Sequence, residues 1–156
     1  MIVVRKFVYN PSDDEREKAS QSYLMSLIAI IGGLPLPIVN LIATAAFWVS
    51  SRRRGLFVRY HSTQALMSQF ALLLINGFAF WWTISVIFGE RVVTNDYFAY
   101  IAVVLLFNLL EFVATIFTAI IARDGRHAEW WFFGAVANLI FKNELAGIDI
   151  KKGRVI

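Results

Sequence analysis

The chain has no cysteine, so disulfides, thiolate metal sites and cysteine nucleophiles are excluded, and redox chemistry says nothing about its compartment. Charge is also scarce: 17% of the 156 residues are charged, against roughly a quarter in an average soluble domain. There are two histidines, His61 and His127. Each lies beside a basic cluster, with no second histidine or carboxylate at metal-ligand spacing, so no metal is expected. Nor is there an acid pair, a nucleophile with its base, or a glycine-rich phosphate loop after a strand, which argues against an enzyme and against a cofactor. The first twenty residues lack the basic start, short apolar core and cleavage site of a secretory signal, because Asp13 to Lys18 is a run of charges.

What the chain does have is apolar surface. Hydrophobic residues make up 58% of it and fall in long blocks separated by short charged connectors, the pattern of a chain solvated by lipid. A soluble fold of this size could not hide so much. The net charge of +4 does not point to nucleic acid, since the basic residues cluster beside apolar blocks rather than across one solvated surface.

These blocks predict an all-α integral membrane protein: a short Gly/Pro-broken helical hairpin, two full transmembrane helices and a C-terminal interfacial amphipathic helix. The membrane domain covers residues 12–142, in segments 13–33, 37–50, 56–88, 97–122 and 127–142. It is flanked by an N-terminal tail, 1–11, and a C-terminal tail, 143–156. Ile2 to Tyr9 is β-branched and aromatic enough for a short strand, and the C-terminal tail has a similar look, so the two ends are candidates to pair with each other. Ser12 with Glu15 forms a capping-box pattern, and Asp13 and Asp14 suit the positive end of a helix, which places a helix start near residue 13.

Gly32-Gly33-Leu34-Pro35-Leu36-Pro37 breaks the next apolar run, because Pro35 and Pro37 each remove a backbone donor. Each remaining piece is roughly 20 Å long, short of the roughly 30 Å hydrocarbon core. The Lys and Arg distribution decides between a returning hairpin and one kinked crossing. A hairpin puts 14 of the basic residues on one side and only Arg91 on the other, whereas a single crossing gives 10 against 5. Basic flanks stay in the cytoplasm, so the hairpin is expected, with both termini cytoplasmic in a bacterial inner membrane. The clusters Arg52-Arg53-Arg54, Arg123 and Arg126 hold that topology and are candidates to meet anionic lipid headgroups.

Counted in from the segment ends, Asn40, Asn76, Asn108 and Glu111 reach similar depths and form one candidate polar layer. Asn108 and Glu111 are three apart on one helix face, which should turn inward, with Glu111 bonded to an Asn. As interhelical glue such a layer holds the bundle, whereas as a relay it would conduct protons or a solute. Trp81, Trp82, Trp130 and Trp131 are candidate partner-facing residues.

Three stretches carry a family resemblance: Gly33-Leu34-Pro35-Leu36-Pro37, then Phe57 to Leu66 with Arg59, His61 and Gln64, then Arg123-Asp124-Gly125-Arg126 leading into Trp130-Trp131-Phe132. Over about residues 20 to 142 the chain resembles small bacterial membrane proteins similar to the twenty-kilodalton Tic subunit of the chloroplast protein import channel. That resemblance implies a membrane domain of four helical segments with both termini inside and a link to protein translocation. The expected function is a non-catalytic subunit of a larger inner-membrane complex, with other integral membrane proteins as partners, serving protein translocation or insertion. The alternative is a small proton, ion or solute conduit centred on Glu111 and the Asn residues.

Overall fold

The computed structural model describes residues 2–27, 37–89 and 92–151, and of residues 37 and 148–151 the backbone alone. The elements run β1 (Ile2–Lys6), α1 (Asp13–Leu24) continued by a 3₁₀ turn (Met25–Leu27), α2 (Pro37–Ser51), α3 (Leu56–Phe88), α4 (Asn95–Arg123), β2 (Arg126–Trp130) and α5 (Phe133–Lys151).

Local chemistry sets the helix starts. Ser12 Oγ accepts from the Glu15 amide at 3.3 Å while the Glu15 carboxylate accepts from the Ser12 amide at 3.0 Å, so the expected capping box opens α1. Thr94 Oγ1 accepts from the Tyr97 amide at 3.3 Å and opens α4. With 33 and 29 residues, α3 and α4 are long and apolar enough to cross a membrane. They run antiparallel, joined side to side by Gln69 to Glu111 at 2.8 Å and Asn76 to Asn108 at 3.0 Å.

Near one end α1 fits between α3 and α4. Ala19, Ala65 and Ala122 are fully buried there, and such small side chains let three backbones approach closely. Arg54 pairs with Asp14 at 3.3 Å and Arg123 with Glu17 at 3.0 Å, so the start of α1, the start of α3 and the end of α4 share that end. From Asp14, α1 runs alongside α3 as far as Tyr23, whose hydroxyl touches His61, while α2 returns along α3 with the Trp48 indole donating to Thr63 at 2.9 Å. The first two helices therefore begin and end on the same side. Gly33, Pro35 and the rest of the expected turn up to residue 36 lie outside the described residues, and Pro37 opens α2.

The expected all-α architecture needs one correction. Residues 127–130, expected to open the interfacial helix 127–142, instead form with Arg126 a strand antiparallel to β1, with Ile2 opposite Trp130, Val4 opposite Ala128 and Lys6 opposite Arg126. Gly125, at a φ of +76°, makes the reversal out of α4 that a side chain would resist. The N-terminal strand is as expected, but it pairs with this internal segment rather than with the C-terminal tail. Of that tail, residues up to Lys151 belong to helix α5, and 152–156 lie outside the described residues.

Candidate functional site

The buried polar groups gather where the strand pair meets the bundle. On α3, Phe57, Tyr60, His61, Gln64, Ala65 and Ser68 are buried, at the three- and four-residue spacing of one helix face. That face looks onto α1 and β2. Gln64 is fixed by the backbone of β2, since its Oε1 accepts from the Trp130 amide at 3.2 Å and its Nε2 donates to the Ala128 carbonyl at 3.1 Å. A side-chain amide thus takes the place of a third strand, and the orientation of its two ends follows from the backbone groups it meets.

From that anchor a hydrogen-bond chain crosses the interior. Gln64 Nε2 donates to the Tyr23 hydroxyl at 2.8 Å, which lies 2.9 Å from His61 Nδ1. His61 Nε2 lies 3.2 Å from His127 Nδ1, and His127 Nε2 lies 3.3 Å from Glu129 Oε1. The ends are chemically unlike, a pure donor at Gln64 Nε2 and a carboxylate acceptor at Glu129. With both rings neutral and Glu129 ionised, every link is satisfied when Tyr23 donates to His61, the His61 Nε2–H donates to His127, and the His127 Nε2–H donates to Glu129. The Glu129 carboxyl is indeed held below its ordinary value of 4.5, chiefly by the hydrogen bond from His127 and against the opposing effect of burial. Phe57 lies edge-on to the His61 ring, with centroids 4.5 Å apart, and Tyr60 does the same to His127 at 4.5 Å, closing the pair off from solvent.

Sequence reading separated these residues. In a helix over 127–142 His127 and Glu129 would lie on different faces, but on a strand residues two apart share a face, and His127 Nε2 comes within 3.3 Å of Glu129 Oε1. The pairing of the two histidines, 66 residues apart, exists only because β1 recruits residues 126–130. The signals available were the lone strand pattern of Ile2 to Lys6, which requires a partner, and the Asp124-Gly125 reversal. Among the described residues, no group of three or more His, Asp or Glu side chains is arranged to hold a metal ion.

The expected polar layer divides into two rungs. Asn76 and Asn108 exchange hydrogen bonds of 3.0 and 2.7 Å. About a turn away, Glu111 is bonded not to an Asn but to Gln69 at 2.8 Å, Thr115 at 3.0 Å and Ser68 at 3.2 Å, all three meeting at Oε1. Asn40 is buried on α2. Beside Glu111 opens a cavity of about 450 Å³ with apolar walls that include Phe107, Leu110 and Phe132.

The basic and aromatic candidates separate as well. Arg54 and Arg123 are engaged across the bundle as described, and Arg126 pairs locally with Asp124 at 3.3 Å. Arg59 grips Glu144 of α5 with two bonds of 2.8 and 3.0 Å. Trp81 and Trp131 are exposed and Trp82 half-buried, but Trp130 is only 7% exposed and donates its indole N–H to Thr118 at 2.6 Å. Trp130 is thus a core residue, not a surface for a partner.

These features define a class, a helical bundle whose two long helices have the length and composition of membrane spans and whose interior carries cross-linked polar side chains. Residues 17–140 match the magnetosome magnetite crystal formation protein family, and the chain belongs to that family. No curated protein and no solved structure matches it. The Tic resemblance is corrected accordingly. The stretches that suggested it, from Gly33 to Phe132, lie within the matched residues and are accounted for by the magnetosome family. A Gly/Pro turn, basic connectors and aromatic flanks are what any short membrane helical hairpin requires, so they could not separate the two families.

Proposed function

We propose that this protein is a non-catalytic integral membrane component of the machinery that forms magnetite crystals, residing in the magnetosome membrane with both termini in the cytoplasm. The family match over residues 17–140 carries the reading. Membrane residence is supported by the flanks of α3 and α4, where Leu74, Leu106, Leu109, Leu110 and Val113 are exposed, as side chains solvated by lipid would be. Orientation is supported by charge, since the basic clusters gather at the end where Asp14 meets Arg54 and Glu17 meets Arg123. The opposite end, with the short loop before Asn95, then faces the compartment that the membrane encloses. The non-catalytic part is supported by the interior itself, where Glu111 is tied to Ser68, Gln69 and Thr115 and the two histidines are tied into a separate chain with Tyr23, Gln64 and Glu129. Exposed aromatic surface around Trp131 and Phe132 is where other membrane proteins would dock.

Deleting the gene in a magnetosome-forming bacterium tests this. Crystals should change in size, shape or number and recover on complementation, with the protein in the magnetosome membrane fraction. Unchanged crystals would reject the role.

A second reading, a small proton or solute conduit centred on Glu111, has one observation in its favour, the cavity that opens beside that carboxylate. Against it, three donors tie Oε1 into the bundle. Reconstituted vesicles would have to show flux that Glu111→Gln abolishes, and tight vesicles would end the idea.

A further inference from the structure

At the basic end, α2, α3 and α5 enclose a second cavity, of about 340 Å³, that the hydrogen-bond chain does not use. Two guanidinium groups flank its mouth, each laid against an aromatic wall. Arg52 lies 4.2 Å from the centroid of the Trp48 ring and Arg59 lies 5.1 Å from that of Phe141. Such stacking keeps a guanidinium plane fixed and leaves its in-plane N–H groups aimed outward. Glu144 takes two of the Arg59 donors, so the uncompensated charge at the mouth belongs to Arg52.

Below the mouth the wall changes character in a fixed order. Arg59, Thr63 and Met67 follow one another at four-residue spacing along the lining face of α3, and over about 12 Å they pass from cation to hydroxyl to thioether. The oxygen of Thr63 accepts from the Trp48 indole at 2.9 Å, which leaves the hydroxyl hydrogen for another acceptor. Ile140 completes the apolar floor from α5.

We infer that this cavity binds the headgroup and upper acyl region of one anionic phospholipid, with the phosphate at Arg52, the ester oxygens at Thr63 and the chains descending past Met67 and Ile140. The order of side chains matches the order of groups along such a lipid, and the site lies at the end where α3 would leave the bilayer. The inference rests on the membrane reading above. A free phosphate would use the mouth but not the floor, which is why a lipid is the occupant.

Thermal unfolding of the whole chain in a neutral detergent tests it, with added phosphatidylglycerol, phosphatidylcholine of the same chains, or glycerol phosphate. Phosphatidylglycerol should raise the midpoint saturably and the other two should not. Arg52→Gln should weaken the apparent affinity about tenfold, the loss of a charge-assisted contact. Arg53→Gln, which removes the same charge one residue away and outside the cavity, should leave it within about twofold. Equal shifts from both lipids, equal loss in both variants, or a full response to glycerol phosphate would each overturn the site. A chain that stays monodisperse without detergent would instead overturn the membrane reading, and the site with it.

Discussion

The two ends of the bundle bury different things. At the basic end, β1, α1, β2 and α5 surround the start of α3, and the interior holds His61, His127, Gln64, Tyr23 and Tyr60 beside fully buried alanines. At the other end, among the described residues, α3 and α4 alone face each other. There Trp82 lies against Tyr97 and Tyr100, with centroids 5.9 and 5.5 Å apart, while Phe78, Trp81 and Phe88 point outward. At the first end Tyr23, His61, Gln64 and His127 are buried with fixed partners, and under the proposed membrane residence lipid covers the large apolar side chains left bare at the second. Stability should therefore concentrate in the strand-capped end.

Breaking the anchor of that end should have the largest effect. Gln64→Leu strands the Trp130 amide and the Ala128 carbonyl in the interior, and each unmet group costs about 1–3 kcal/mol. Thermal unfolding in detergent should show a loss of about 2–5 kcal/mol, and loss of the strand signal before the helical one. Next comes the rung at Glu111. Glu111→Leu leaves Gln69 and Thr115 without their acceptor, while Ser68 keeps the Ala65 carbonyl, and should cost about 2 kcal/mol, whereas Glu111→Gln keeps an oxygen in place and should cost about half of that or less in the same assay.

Glu129 sharpens the comparison through pH. Because its folded pKa is depressed, the stability it adds is present in full above the ordinary carboxylate value of 4.5 and is lost as pH falls through the lower folded value. The unfolding midpoint should fall across that acid window in the wild type and more shallowly in Glu129→Gln. At the uncovered flank the effect should be smallest. Trp81→Ala, at a side chain 68% exposed, should shift stability by no more than about 0.5 kcal/mol, and a larger loss would mean that protein, not lipid, covers it.

What the sequence disclosed follows the range of the interactions. The start of α1 was legible because Ser12 and Glu15 satisfy each other three residues apart, and α3 and α4 because an apolar run of that length needs no partner to be recognised. Strand β2 was not, since nothing local in Arg126 to Trp130 favours a strand over an aromatic helix. Its conformation is decided by Ile2 to Lys6 at the far end of the chain. The candidate site shared that fate. Asn76, Asn108 and Glu111 were found by depth along two helices, whereas His61, His127 and Glu129 were seen only as separate residues at a basic rim. Trp130 was misplaced for the same reason, a strand turning it toward Thr118 instead of outward.

The account depends most on the first two helices returning to the side from which they came. The absence of cysteine makes this directly measurable. Ser12→Cys, Arg53→Cys and Thr94→Cys, introduced one at a time, can be labelled with a membrane-impermeant maleimide in vesicles of known orientation. Positions 12 and 53 should react from the same, cytoplasmic face, and position 94 from the opposite one. Labelling of 12 and 53 from opposite faces would contradict the fold of this protein in the membrane.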